Sequence, residues 1–306
     1  SMSVTTSVAV AAEWPAAVRA LLSHVPEPER TSSVARVIAQ LEAGQLDPSG
    51  LIVARRSDRV VGAAMVQRLP GNTSAAWPPW AEDDTVAAAL AGAVIERISG
   101  SGVTVAHAFG REAVRERFAA LERVGFRRVT ELTFLSRPIP GLAGLPAFDP
   151  AACRVKFTPV AGPSRGFAAV LLATYEGTLD CPELNGTRSG EDVLAGYAAG
   201  ASATERPDWF LISCRGEPVG VLLFGPPNRA ATAELSYVGL VPDARGRGHG
   251  DECLRFTLGH AAGTGAEWLT LSVDVRNAPA LRLYDRHGFR PFDAQDVYLW
   301  TSVSRS

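Results

Sequence analysis

Glu234 to Gly250 reads E-L-S-Y-V-G-L-V-P-D-A-R-G-R-G-H-G. A β-branched and apolar run ends at Val241, a proline turn follows, and Gly246, Gly248 and Gly250 then fall at the expected start of a helix. Glycine inside a helix costs about 1 kcal/mol relative to alanine, so three in five residues imply that something approaches the backbone closely. The unpaired N–H groups and positive dipole end of a helix N-terminus suit an anion such as a pyrophosphate. A plain tight turn is the structural alternative. The spacing Gly246-x-Gly248-x-Gly250 does not fit the dinucleotide pattern G-x-G-x-x-G, and the Gly-Lys-Ser/Thr of a nucleotide-binding loop is absent.

Downstream, Leu271 to Phe289 reads L-S-V-D-V-R-N-A-P-A-L-R-L-Y-D-R-H-G-F. Asn277 closes an expected strand and Tyr284 falls within the next helix. Together the two segments resemble the GNAT superfamily of acyl-CoA-dependent N-acyltransferases. Arg245-x-x-Gly248-x-Gly250 meets its Arg/Gln-x-x-Gly-x-Gly/Ala pyrophosphate motif, and Asn277, Ala280, Tyr284, Gly288 and Phe289 are in register with its second signature. The resemblance implies a cofactor, acetyl-CoA or another short acyl-CoA. It implies that the diphosphate is held by the amides of Arg245, Gly246, Arg247, Gly248, His249 and Gly250, just after Val241. The acyl carbonyl would lie near the N–H of Leu240, and the amide of Asn277 near the pantetheine arm or the Tyr284 helix. His249 is expected to be solvated, and Asn277 alternatively to be a helix cap.

Direct transfer from a thioester to an amine expels a thiolate and calls for a proton donor near sulfur. Tyr284 is the candidate. With ordinary values near 10 for tyrosine and about 8.5 for a thiol, hydrogen bonding to developing charge is expected to matter more than complete proton transfer. Without the flanking motif, Tyr284 would read as a half-buried helix aromatic. An alkylammonium near pKa 10 must also lose a proton before it attacks. Glu234 aligns with the glutamate base of some GNAT enzymes, and alternation places Ser236 on its face; an edge-strand carboxylate in solvent is the alternative. On the acceptor side, the stretch from Tyr175 to Arg188 offers Tyr175, Asp180, Glu183 and Asn185 to a polar, cationic amine, although surface loops are polar in any case. Cys181 in the same stretch has no His or Asn arrangement around it and reads as a structural cysteine.

Working outward, the 306 residues amount to about two domains of ~150 residues each. Strand and helix periods repeat in the same order in both halves. Val61-Gly62 has a counterpart in Val219-Gly220, and Arg123-Val124-Gly125-Phe126 in Arg286-His287-Gly288-Phe289, at offsets of 158 and 163. The Pro- and Gly-rich stretch from Ser136 to Pro150 reads as a linker. The repeat points to a duplicated α/β domain, and the resemblance implies two tandem GNAT-like domains, residues 1–147 and 148–306, each a mixed, largely antiparallel sheet flanked by helices with a splayed parallel strand pair. In the first half the helix after Val103–Ala108 is expected to run from Arg111 to Val124, with Val114 and Leu121 opposite Asn277 and Tyr284. Glu82 and Asp83 precede its earlier helix where the phosphate motif would stand. The first half is expected not to catalyse.

Thirty Lys and Arg against 32 Asp and Glu give a net charge of −2, which offers no basic field to a nucleic acid. The four cysteines form no CxxC pair, the five histidines lack the spacing of metal ligands, and no apolar run reaches the ~18 residues of a membrane span. A cytoplasmic enzyme is expected, without metal, nucleic-acid or membrane partner, that acylates a primary amine of a small molecule or peptide. An acyl-CoA-binding pseudoenzyme or sensor acting through a protein partner is the rival reading; a binder of other nucleotide phosphates is a third.

Overall fold

The computed structural model describes residues 3–145, 148–149, 151–199, 208–226 and 231–302. Two compact units emerge: Ser1–Val129 with Gln295–Ser306, and Thr130–Ala294. In chain order the elements are β1 (Val4–Val8), α1 (Trp14–Leu21), α2 (Glu29–Glu42), β2 (Leu51–Arg56), β3 (Arg59–Leu69), β4 (Thr73–Ala81), α3 (Asp84–Gly100), β5 (Val105–Gly110), α4 (Ala119–Arg123) and β6 (Arg127–Pro138). There follow β7 (Val155–Pro159), α5 (Arg165–Thr174), α6 (Gly190–Tyr197), β8 (Trp209–Cys214), β9 (Glu217–Phe224), β10 (Thr232–Leu240), α7 (His249–Gly263), β11 (Trp268–Asp274), α8 (Ala278–Arg286) and β12 (Arg290–Thr301). No helix among the described residues is long and apolar enough to cross a membrane.

The first unit has strand order β1-β2-β3-β4-β5-β12, antiparallel except where Thr73–Ala75 of β4 run parallel to Val105–His107 of β5. Val86, Leu90, Val94 and Ile98 repeat every fourth residue along α3, so one face of that helix is buried against β2, β3 and β5. Asp83 starts the helix by accepting from the Val86 N–H at 3.1 Å. The second unit has order β7-β8-β9-β10-β11-β6, again with one parallel pair, Thr232–Glu234 of β10 beside Trp268–Thr270 of β11. Its core joins Cys253, Leu254 and Leu258 of α7 to Leu269, Leu271 and Val273 of β11, with Tyr284 and Phe289 beside them.

The repeated residues occupy repeated sites. Gly62 and Gly220 lie one position past the bulged corner of their hairpins, and a methyl group on Gly220 would meet the Gly239 carbonyl at 2.3 Å. Gly125 and Gly288 hold φ of +106° and +80°, and each delivers a buried phenylalanine, Phe126 or Phe289, to its core.

The units do not divide at residue 147. Leu132–Pro138 of β6 pair with β11, while Asp296–Thr301 of β12 pair with β5, so each half of the sequence ends in a strand belonging to the other half's sheet. The expected linker thereby loses its beginning: Ser136–Pro138 continue β6, and the Ile139 N–H donates to the Glu267 carbonyl at 2.7 Å. Pro146 and Pro150 lie outside the described residues. The helix expected over Arg111–Val124 is a 3-10 segment, Glu112–Phe118, followed by the short α4.

Candidate functional site

The site follows from a strand pair that parts. β10 and β11 are paired over three residues, after which β10 keeps to β9 with a bulge at Ser236, and β11 runs on beside β6. The gap is a cavity of about 430 Å³. Its walls come from Thr174 and the Gly177–Asp180 loop, from Leu235 and Tyr237–Leu240 of β10, from α7, and from Asn277, Leu283 and Tyr284 at α8. Val241 donates to the Val219 carbonyl at 2.9 Å, so the alternation of an antiparallel ladder turns the Leu240 N–H away from β9, toward the opened side. That is where the resemblance expects an acyl carbonyl. Val241 itself does not line the cavity.

A 3-10 turn, Pro242–Ala244, leads into the glycine run. Gly246 and Gly248 take φ of +71° and +82°, the left-handed region that side chains avoid. Helix α7 then runs for 15 residues with no side chain capping its start. The N–H groups of Gly246, Arg247, Gly248, His249 and Gly250 have no acceptor among the described residues. Five open amides at the positive end of a helix form a strong anion-binding concavity. Gly250 also lets α8 close in, since a methyl group there would sit 3.2 Å from Leu283 Cδ2.

The side chains of this segment do other things. Arg245 sends Nε to the Leu240 carbonyl (3.0 Å), Nη1 to the Gly177 carbonyl (3.0 Å) and Nη2 to the Thr174 carbonyl (2.8 Å), tying the acceptor loop to the end of β10. Arg247 is exposed. His249, expected in solvent, is buried, because the first turn of α7 points it inward; its Nδ1 has no partner among the described residues. In place of a side chain on Gly248 lies Arg154, held by Glu252 at 2.8 Å.

Tyr284 is buried in the wall, its ring against Phe289 and its hydroxyl without a hydrogen-bond partner among the described residues. Burial, reinforced by the charge of Asp180, pushes its pKa above the ordinary tyrosine value, so it stays a proton donor. Asn277 is both wall and cap: its Oδ1 accepts from the Ala280 N–H at 3.3 Å, starting α8.

Among the acceptor-side candidates, Asp180 lines the cavity and the rest do not. Tyr175 is bonded to the Tyr197 hydroxyl at 3.3 Å, Asn185 Nδ2 donates to the Tyr175 carbonyl at 2.7 Å, and Glu183 grips Arg276 at 2.6 Å. Glu234 is exposed at the still-paired root of β10 and accepts from Ser236 at 3.3 Å; neither residue reaches the cavity, because Leu235 takes the inward place and the bulge follows. The strand pattern gave no sign of Tyr237, whose ring lines the cavity and whose hydroxyl meets Thr174 Oγ1 at 2.8 Å. Asp274 was also unforeseen. It is buried at the end of β11, where burial works against its charge, yet donors from Arg276, Thr130 and the Cys181 N–H hold its pKa down to about 2. With Arg276, Thr130 and Cys181 on both oxygens, its carboxylate is already satisfied. Cys181 is buried enough to push its thiol up to about 12, which agrees with a structural cysteine.

Comparison with known proteins bears on the same segment. A family model described as Acetyltransferase (GNAT) family matches residues 172–289, wholly within the second unit. A mycothiol acetyltransferase of Actinosynnema mirum is 28% identical over 301 residues, covering 89% of this chain and 96% of the relative. One from Streptomyces bingchenggensis is 30% identical over 152 residues, 40% of this chain and 49% of the relative. Among solved structures, a GCN5-related N-acetyltransferase from Sphaerobacter thermophilus superposes with a TM-score of 0.60 at 17% identity, over 97% of this chain and 95% of that one. A tandem GNAT protein from the clavulanic acid biosynthesis pathway gives 0.54 at 14% identity, over 99% and 100%. The last two share the fold.

Proposed function

The chain is an acetyltransferase of the GNAT family, and we propose that its second unit transfers an acetyl group from acetyl-CoA to a primary amine of a small molecule or peptide by direct attack. The observation that carries this reading is the row of five open amides, Gly246 to Gly250, set beside a cavity that Tyr284 also lines and that the Leu240 N–H flanks. The residues fit the cofactor: the amides suit its diphosphate, the slot between Leu235–Leu240 and α8 its pantetheine arm, and Asn277 the polar groups of that arm.

Bound acetyl-CoA would supply an activated thioester. The protein's part is to orient and to manage charge. The Leu240 N–H would donate to oxygen as negative charge grows there, and the Tyr284 hydroxyl would offer its proton where sulfur departs. The apolar walls strengthen both interactions by excluding water.

The first unit supports no such chemistry. Asp83 occupies the start of α3, putting a carboxylate where α7 leaves amides open, and Leu121, buried in the core, stands opposite Tyr284. We take this unit as non-catalytic. The sensor reading has no observation in its favour, since the candidate proton donor Tyr284 lines the cavity.

Calorimetry with acetyl-CoA, followed by thiol release with a panel of primary amines, tests the proposal. Heat and amine-dependent thiol are expected. No heat with any acyl-CoA would end it.

A further inference from the structure

Among the described residues that line the cavity, Asp180 supplies the sole carboxylate and Arg245 the sole cation. The guanidinium of Arg245 is fixed on three main-chain carbonyls. Burial pushes the phenols of Tyr237 and Tyr284 and the thiol of Cys253 upward, leaving them protonated near neutral pH. Asp180 is thus the wall group able to exchange a proton there.

Its placement is specific. The Asp274 N–H donates to Asp180 Oδ1 at 3.2 Å, the Asp180 N–H donates to Thr178 Oγ1 at 3.1 Å, and the neighbouring Cys181 N–H donates to Asp274 Oδ2 at 3.0 Å. The loop is stitched to the end of β11, and Asp180 Oδ2 has no partner among the described residues. The groups around it are Asp274 at the end of β11 and Arg276 just beyond it, Tyr237 of β10, Tyr284 of α8, Tyr175 after α5, Tyr197 of α6, and Cys181 and Glu183 on its own loop. Arg276 is neutralised by Asp274 and Glu183. Burial, helped by the Asp274 charge and opposed by the Asp274 N–H and Arg276, raises Asp180 to about 6.

We propose that Asp180 Oδ2 receives the acceptor as an alkylammonium and takes its proton, which makes Asp180 the acceptor-side base and a primary aliphatic amine the substrate class. This rests on the acetyl-transfer reading above. Of the three protons on the ammonium nitrogen, the amide product keeps one. One passes to Asp180 and on to solvent, and one ends on sulfur by way of the Tyr284 hydroxyl as the N–C bond forms and the C–S bond breaks. Apolar walls favour the neutral carboxylic acid and amine over the ion pair, which lets a carboxyl group deprotonate a much weaker acid. The Tyr237 ring adds a π face for the incoming cation.

The test is Asp180→Asn, which keeps an oxygen for the Asp274 N–H and loses the charge. With acetyl-CoA and primary amines, kcat/KM for the amine at pH 7 should fall about 10²- to 10³-fold. Acetyl-CoA Kd should stay within about twofold, and the acid limb of the pH profile should vanish; Asp180→Glu should restore the limb. Independently of acetyl-CoA, carbon NMR of aspartate-labelled protein should show one carboxyl titrating at about 6, absent in Asp180→Asn and moved to lower pH by n-butylamine. An acid limb retained in Asp180→Asn, or no aspartate titrating between pH ~5 and ~7, overturns the assignment. No heat with acetyl-CoA alongside an intact Asp180 titration and amine response overturns the acetyl-transfer reading alone.

Discussion

Arg245 Nη2 donates to the Thr174 carbonyl at 2.8 Å, so the arginine that opens the anion motif in the sequence serves the acceptor loop in the structure. Replacing Arg245 with Met removes three charge-assisted bonds to half-buried carbonyls and should cost about 3 kcal/mol of stability. Because the loop it ties down carries Asp180, KM for the amine should rise more than Kd for acetyl-CoA. Urea unfolding and steady-state kinetics measure both; the opposite ranking would return the guanidinium to the anion.

Gly248→Ala should weaken acetyl-CoA. The left-handed backbone costs a side chain about 1–2 kcal/mol, and its methyl group would displace Arg154 Nη2, now 2.7 Å from that position. Relaxation of the turn would misaim the open amides. An approximately tenfold loss of affinity by calorimetry is expected, with KM for the amine unchanged.

Tyr284→Phe should separate binding from turnover. Its hydroxyl has no partner to lose, so stability should change by less than ~1 kcal/mol and acetyl-CoA affinity by less than twofold. Thiol-release kcat should drop about 10²-fold. An unaltered kcat across a broad amine panel removes Tyr284 from the mechanism.

Asp274 gives acid sensitivity a definite sign. Its pKa is about 2 in the folded protein against 3.8 ordinarily, so its contribution is complete above pH ~4 and disappears as pH falls toward ~2. The amount at neutral pH is about 2 kcal/mol. Urea unfolding at pH 7 and pH 3 should show about half of it, ~1 kcal/mol, lost in the wild type, and a flatter dependence in Asp274→Asn.

Fragments should obey the strand exchange rather than the linker. A piece spanning 127–294 retains all six strands of the second sheet and should fold cooperatively by circular dichroism and amide NMR. A piece spanning 148–306 lacks β6, which leaves the β11 edge uncovered, and should aggregate. Equal folding of the two would mean that β6 is dispensable.

The glycine run and the Tyr284 segment were legible because both patterns are local: a strand, a turn and a helix start within one short stretch. β4 was not, since Pro78 and Pro79 argue against a strand. They are tolerated because β4 has left β5 by then and a register shift on the β3 side absorbs them. Glu234 was taken from the resemblance and Ser236 from alternation, and neither anticipates that Leu235 takes the inward place and a bulge follows at Ser236. Asp180 was legible as a polar loop residue among several; its place in the cavity depends on the distant Asp274 N–H. Which sheet β6 and β12 join is likewise invisible to periodicity, which assigns a strand without its neighbours.

A sequence half that could be deleted without harm to its neighbour would be free to vary on its own. Here a cut at the middle of the sequence spares neither half, because each ends in the strand that completes the other's sheet. A constraint on the second sheet therefore reaches Leu132–Pro138 as well, and no single cut of the chain leaves both sheets whole.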